Sequence, residues 1–183
     1  VALRVGSAYR WYSPMFNRRV HDHRSTAQYH EVEYNTRMLS ACSGRSYDAT
    51  LVAPRVPSEL RAAARALLRE LGIADDERFV IIHPASGGSA REWSAHNFGA
   101  LAQQLHEHLG IRTLISGIAS EKATCDAVHA KCASALNICG RCTLDVMMAL
   151  MERSSLVVAN STGILHIAAS LHTAVVDRKS TRL

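Results

Sequence analysis

Apolar positions return along most of this chain at two alternating spacings, one helical and one extended. From Ser58 onward, Leu60, Ala63, Ala64, Leu67, Leu68 and Leu71 recur every three or four residues until Gly72. That spacing gathers them on one face of an amphipathic helix, with Ser58 as its candidate cap and the glycine as its stop. Residues 79–83, Phe-Val-Ile-Ile-His, then switch to a continuous apolar run rich in β-branched side chains that ends at Pro84, the pattern of a strand buried on both faces. Ser94 opens a second helix whose buried stripe is Phe98, Leu101, Ala102, Leu105 and Leu109 and whose stop is Gly110. Trp93 and Phe98 are spaced to close a hydrophobic staple over its first turn.

The alternation continues through a strand at 112–116, a helix at 120–132, a short strand at 136–138 and a helix capped by Thr143, whose Leu144, Met147, Met148 and Met151 share a face read as core. A strand at 156–159, a turn at 160–163, a helix through Leu171 and a strand from 174 to 176 complete the series. Strands alternating with single helices predict an α/β fold with a Rossmann-like, doubly wound parallel sheet. Upstream, Ala53-Pro54-Arg55-Val56-Pro57 interrupts helix and sheet pairing alike. Residues 1–52 are rich in Arg, His and Tyr and carry no sustained period beyond a helix over 30–42. The expected organisation is a remnant of another domain plus linker over 1–56, a Rossmann-like nucleotide-binding domain over 57–176, and an extraneous or truncated tail over 177–183.

Composition narrows the class. Of 183 residues, 48% are apolar and 20% charged, which suits a globular chain with a core. No apolar run approaches the roughly 18 residues of a membrane span, and no charged stretch leads into an apolar segment at the start, so no secretory signal is expected. Five cysteines, Cys42, Cys125, Cys132, Cys139 and Cys142, form an odd, irregular set, which points to a reducing compartment rather than a disulfide framework. Cys139-Gly140-Arg141-Cys142 has the spacing of a redox or zinc pair, but no second pair follows it, and it is read as two ordinary thiols. His30-Glu31 lacks the second histidine of a helical zinc motif, so no metal is expected. The net charge of +5 favours acidic partners. Arg10, Arg18, Arg19 and Arg24 belong to no nucleic-acid motif, and no nucleic-acid partner is expected. A dinucleotide-binding oxidoreductase would need a G-x-G-x-x-G turn opening a helix, which is absent.

In an open parallel sheet, ligands sit beyond the carboxyl ends of the strands, so the loops after His83, Ser116 and Ala159 should converge on one crevice. The first, Pro84-Ala85-Ser86-Gly87-Gly88-Ser89-Ala90-Arg91-Glu92-Trp93, offers small residues for close backbone approach, then a permanent cation. The third, Asn160-Ser161-Thr162-Gly163, leads into a helix whose free amides and dipole favour an anion.

Three segments, His83-Pro84-Ala85-Ser86 with Arg91-Glu92-Trp93, Ser116-Gly117-Ile118-Ala119-Ser120-Glu121, and Asn160-Ser161-Thr162-Gly163-Ile164-Leu165-His166-Ile167-Ala168-Ala169, occur in an order and spacing that resembles glycosyltransferase family 9, the ADP-heptose:lipopolysaccharide heptosyltransferases. The resemblance extends upstream to Gly6-Ser7-Ala8-Tyr9 and His30-Glu31-Val32-Glu33. It implies the C-terminal half of a two-domain GT-B glycosyltransferase that takes an ADP-heptose donor as substrate, with no cofactor. It also implies an inverting transfer to a lipopolysaccharide core or lipid A-type acceptor, in the cytoplasm and peripherally at the inner-membrane surface. By position, Ser86 and Arg91 meet the diphosphate, Glu121 the ribose, and Thr162, Gly163 and His166 the diphosphate and sugar. Gly117 and Ser161 complete the substrate-binding set, and Arg91 stabilises the leaving group electrostatically. Ser161 stands where many members carry an aspartate, and Arg91 where many carry lysine. The family's aspartate base has no counterpart here, so a chain of this extent is expected to bind donor without turning it over. The alternative is a noncatalytic nucleotide-binding or interaction module of the same fold.

Overall fold

A computed structural model describes residues 2–50, 52–88, 93–160 and 162–177. The chain divides into two compact units between residues 51 and 52.

In the first unit, β1 (Val5–Ser7) and β2 (Arg18–Val20) pair in parallel, Gly6 opposite Arg19. Gly6 is required because the Phe16 ring covers the space a Cβ would enter. Helix α1 (Glu31–Ser43) starts with a capping box: Glu33 Oε2 accepts from the His30 amide at 2.7 Å, and His30 Nδ1 accepts from Val32 N at 3.4 Å. It ends at Gly44 in the left-handed region. The guanidinium of Arg37 grips the Asp22 carboxylate with two bonds, 2.6 and 2.8 Å, and holds that carboxyl below its ordinary pKa. Sequence periodicity predicts only the helix of this unit, because strands of three residues are too short for an alternation to register.

The second unit alternates helix and strand: α2 (Ser58–Glu70), β3 (Phe79–His83), α3 (Ala95–Leu109), β4 (Arg112–Ile115), α4 (Lys122–Lys131), β5 (Leu136–Asn137), α5 (Leu144–Arg153), β6 (Leu156–Ala159), α6 (Gly163–Ser170) and β7 (Val175–Asp177). The five strands are parallel in the order β5-β4-β3-β6-β7. The order reverses between β3 and β6, which makes their carboxyl ends the switch point of a doubly wound sheet. Successive side chains of β3 enter opposite layers. Phe79 and Ile81 pack with α2, α5 and α6, while Val80 and Ile82 pack with α3 and α4, so every residue of β3 is buried.

Several sequence expectations change in detail. Ser58 is the first helical residue rather than the cap; Pro57 precedes the helix, and Ser58 Oγ is turned to donate to Glu59 Oε1 instead of accepting from a helical amide. Ser94 and Thr143 do cap their helices, accepting from Asn97 N at 3.2 Å and Val146 N at 3.4 Å. The Trp93 and Phe98 rings meet edge to face at 5.0 Å. Met147 and Met151 are core, but Leu109 and Leu144 are 64% and 54% exposed. Each sits at a helix end beyond the reach of the neighbouring layer. Asp177, expected in the tail, pairs with Ala159 as the last residue of β7; residues 178–183 lie outside the described residues. No helix among the described residues is long and apolar enough to cross a membrane.

Candidate functional site

The loops beyond β3, β4 and β6 are tied to one another by buried polar groups. Asn160, at the end of β6, is fully buried. Its Nδ2 donates to Pro84 O at 2.7 Å and its Oδ1 accepts from Trp93 N at 3.1 Å, so one amide pins both ends of the loop between β3 and α3. His83, the last residue of β3, is 7% exposed. Ser116 Oγ lies 3.3 Å from Ile82 O and 3.0 Å from His83 Nδ1, within hydrogen-bond reach of both. His83 Nε2 then faces the Glu121 carboxylate at 4.0 Å. Burial holds the imidazole below its ordinary pKa against the upward pull of Glu121, so His83 is neutral at pH 7.

Glu121 turns back on its own loop, Oε2 accepting from Ile118 N at 2.9 Å. Gly117 permits that fold, because a Cβ there would stand 3.2 Å from Glu121 Oε2 and 2.7 Å from Cys125 Sγ. His83, Gly117, Ile118, Cys142, Thr143, Leu144, Met147 and Ile164 enclose a cavity of about 70 Å³. It draws on the β3 and β4 loops and on the starts of α5 and α6. This is too small for a whole nucleotide, since pockets for drug-sized ligands run from about 300 Å³; it is a niche for one group, floored by the strand ends.

Thr162 precedes α6 with extended backbone and does not cap it. Its Oγ1 is closed off from solvent and has no hydrogen-bonding partner among the described residues. A buried hydroxyl left alone costs about 1–3 kcal/mol, and here it stands at the amino end of α6, where the helix dipole favours negative charge. Both features suit an anionic or hydroxyl-bearing ligand.

Of the site residues read from sequence, Gly117 lines the cavity and Glu121 borders it through His83, while Thr162 and Gly163 flank its Ile164 wall. Ser86 is buried at 8% exposure and His166 is exposed on α6. Arg91 and Ser161 lie outside the described residues. Sequence reasoning passed over His83 and Asn160 as site residues, although both fall in the segments it singled out. It gave no signal for Thr143 and Leu144, whose approach to the strand ends depends on how α5 packs. A larger cavity, about 540 Å³, lies between α2 and α5. Its Arg61, Arg69 and Arg153 are already engaged by Glu152, Asp75 and backbone carbonyls, and it lies away from the carboxyl ends of the strands; the smaller niche is at those ends, two residues along the chain from Thr162 through its Ile164 wall.

A parallel sheet with helices on both faces, reversing order between β3 and β6, is a Rossmann-like, doubly wound domain, the architecture of each half of a GT-B glycosyltransferase. The chain belongs to glycosyltransferase family 9, the heptosyltransferase family, whose profile matches residues 2–177. Among solved structures it is similar to a family 9 glycosyl transferase from Veillonella parvula DSM 2008, at 17% identity and a TM-score of 0.81, over 100% of this chain and 53% of that one. It is also similar to E. coli heptosyltransferase WaaC with ADP, at 19% identity and a TM-score of 0.62, over 90% of this chain and 49% of that one. The same protein with ADP-2-deoxy-2-fluoro heptose matches at 19% identity and 0.62, over 93% and 51%. The chain thus spans about half the length of these relatives. No match was found among curated protein sequences.

Proposed function

We propose that this chain is the donor-binding half of a heptosyltransferase that takes ADP-heptose and passes the sugar, with inversion, to a lipopolysaccharide core or lipid A-type acceptor at the cytoplasmic face of the inner membrane. The observation that carries the reading is the unpartnered Thr162 hydroxyl at the start of α6, set at the switch point beside the niche lined by His83 and Gly117. The E. coli relative solved with ADP and with a fluoro-heptose analogue supports the choice of ligand.

On this reading the α6 amides, Thr162 and Gly163 receive the diphosphate, with Ser86 and Arg91 from the β3 loop and Ser161 from the turn before α6. Gly117 gives the nucleotide close backbone approach. Glu121 Oε1, left over when Oε2 caps Ile118, accepts from a ribose hydroxyl, and His166 reaches the sugar. As the anomeric bond breaks, negative charge gathers on the departing diphosphate, where a helix N-terminus and the Arg91 guanidinium stabilise it without reorganising. The acceptor and the base that deprotonates its attacking hydroxyl are assigned to the other half of a longer protein.

ADP at about a hundred times its Kd should add about 2.7 kcal/mol of stability, read as a rise of several degrees in melting temperature, and NAD should not compete for the site. A folded sample indifferent to millimolar ADP overturns the proposal.

A further inference from the structure

Cys139 and Cys142 have the spacing of a thiol–disulfide motif, but the fold parts them. Cys142 packs against the layer of α2, α5 and α6 and lines the niche, whereas Cys139 packs against the opposite layer, the one that holds Cys125 of α4. The sulfurs of Cys125 and Cys139 meet over Gly117. A Cβ on that residue would stand 2.7 Å from Cys125 Sγ and 3.3 Å from Cys139 Sγ, so the thiols share space that only a glycine leaves open. Each is held by a carbonyl flanking that glycine, Cys125 donating to Ser116 O at 3.6 Å and Cys139 to Ile118 O at 3.1 Å. Their environments differ: Cys125 is buried and Cys139 is half-buried. Burial, reinforced by the neighbouring Cys139, pushes the Cys125 thiol up to about 12. A polar oxidant therefore reaches Cys139 first, with Cys125 behind it as a protonated partner.

We propose that Cys125 and Cys139 are an oxidation site that hydrogen peroxide closes into an intrachain disulfide. The Cys139 sulfur attacks one peroxide oxygen, the O–O bond breaks, and Cys139 becomes a sulfenic acid as one water leaves. The Cys125 sulfur then displaces the sulfenic hydroxyl, which departs as a second water carrying the Cys125 proton, and the S–S bond forms. Two thiols are oxidised and one peroxide is reduced. The bond joins α4 to the loop before α5 across Gly117, and Gly117, Ile118, Thr143 and Leu144 all line the niche. Closure thus reshapes the donor site; this second consequence rests on the function proposed above.

The test treats the full chain, with exposed Cys42 changed to Ser, with hydrogen peroxide, blocks remaining thiols under denaturing conditions and maps the peptides. Expected are a loss of two hydrogen atoms, a Cys125–Cys139 linked peptide, its persistence in Cys142→Ser, and its reversal by dithiothreitol. In Cys125→Ala, Cys139 should stop at the sulfenic acid and be trapped by dimedone. A Cys139–Cys142 peptide, a sulfenic or sulfinic Cys139 with Cys125 still reduced in the parent chain, or thiols that all remain free would overturn the site. ADP protection of the oxidised chain should fall several-fold against the reduced chain, and unchanged protection in a fully oxidised sample sinks the coupling. If the reduced chain shows no ADP protection at all, the donor reading fails while the peptide map still decides the disulfide.

Discussion

Asn160 works with both ends of one amide. Its NH₂ donates to Pro84 O and its oxygen accepts from Trp93 N, in a site with no exposure to water. An alanine removes the acceptor of the part-buried Trp93 N–H and the side-chain donor of the buried Pro84 carbonyl, and a buried carbonyl so stripped costs about 1–3 kcal/mol. Asn160→Ala should therefore lower the urea midpoint substantially at unchanged slope. Asn160→Asp keeps the acceptor for Trp93 but sets a carboxylate oxygen against Pro84 O, and should lose at least as much. A midpoint equal to the parent's for either variant would show that the β3 loop is held by something else. At this scale the sequence was half legible. The turn containing Asn160 reads as a strand-to-helix junction, and its neighbours carry the family's motif. What the side chain does depends on Pro84, 76 positions away, and local pattern says nothing of a partner at that distance. His83 is the same case, since Ser116 is 33 positions on.

Elements were read from periodicity, which reports a face but not its neighbour. Helix α3 shows the difference. Its stripe was legible through Phe98 and Ala102, both fully buried, yet the same stripe continues to Leu109, which nothing covers. Gly99 lies on that helix as well, and by propensity alone alanine would be better there by about 1 kcal/mol. The packing reverses the sign. A Cβ on Gly99 would stand 2.5 Å from Lys131 Cβ and 3.0 Å from Val128 O of α4, and a backbone carbonyl cannot swing aside as a side-chain tip can. Gly99→Ala should destabilise by about 1–3 kcal/mol through overpacking, measured by denaturant unfolding. A neutral or stabilising result would mean that α3 and α4 do not approach this closely. The glycine was visible in the sequence; the helix that requires it was not, because α4 is named as its neighbour only by the right-handed crossover through β4.

Across the whole second unit, the two ends of the sheet are finished differently. At the amino ends of β3 and β6, Arg153 Nη2 donates to Ala74 O, Asp75 O and Glu77 O at 2.7–2.9 Å while its guanidinium lies 5.1 Å from the Phe79 ring centroid. Arg112 closes Leu71 O and Gly72 O in the same way. Loop carbonyls there are satisfied by the chain itself. Among the described residues the buried side-chain atoms without a partner are Arg112 Nε and Thr113 Oγ1, at the amino end of β4, and the Thr162 hydroxyl, which alone of the three lies at the carboxyl ends, near the niche. Two substitutions should separate these ends. Arg153→Met keeps the apolar stem over Phe79 but removes the side-chain donor from three carbonyls, of which Ala74 O keeps the Glu77 amide and the Glu77 O contact is part-buried, and should cost about 1 kcal/mol while leaving the stabilisation by ADP intact. Thr162→Val keeps the shape and removes only the lone hydroxyl, so the unliganded chain should gain about 1–3 kcal/mol, and the stabilisation by ADP should shrink. Urea unfolding with and without ADP reads both effects. If Thr162→Val destabilises the unliganded chain as Arg153→Met does and leaves the ADP effect whole, the hydroxyl belongs to the fold, and the carboxyl end of this sheet is not where the diphosphate binds.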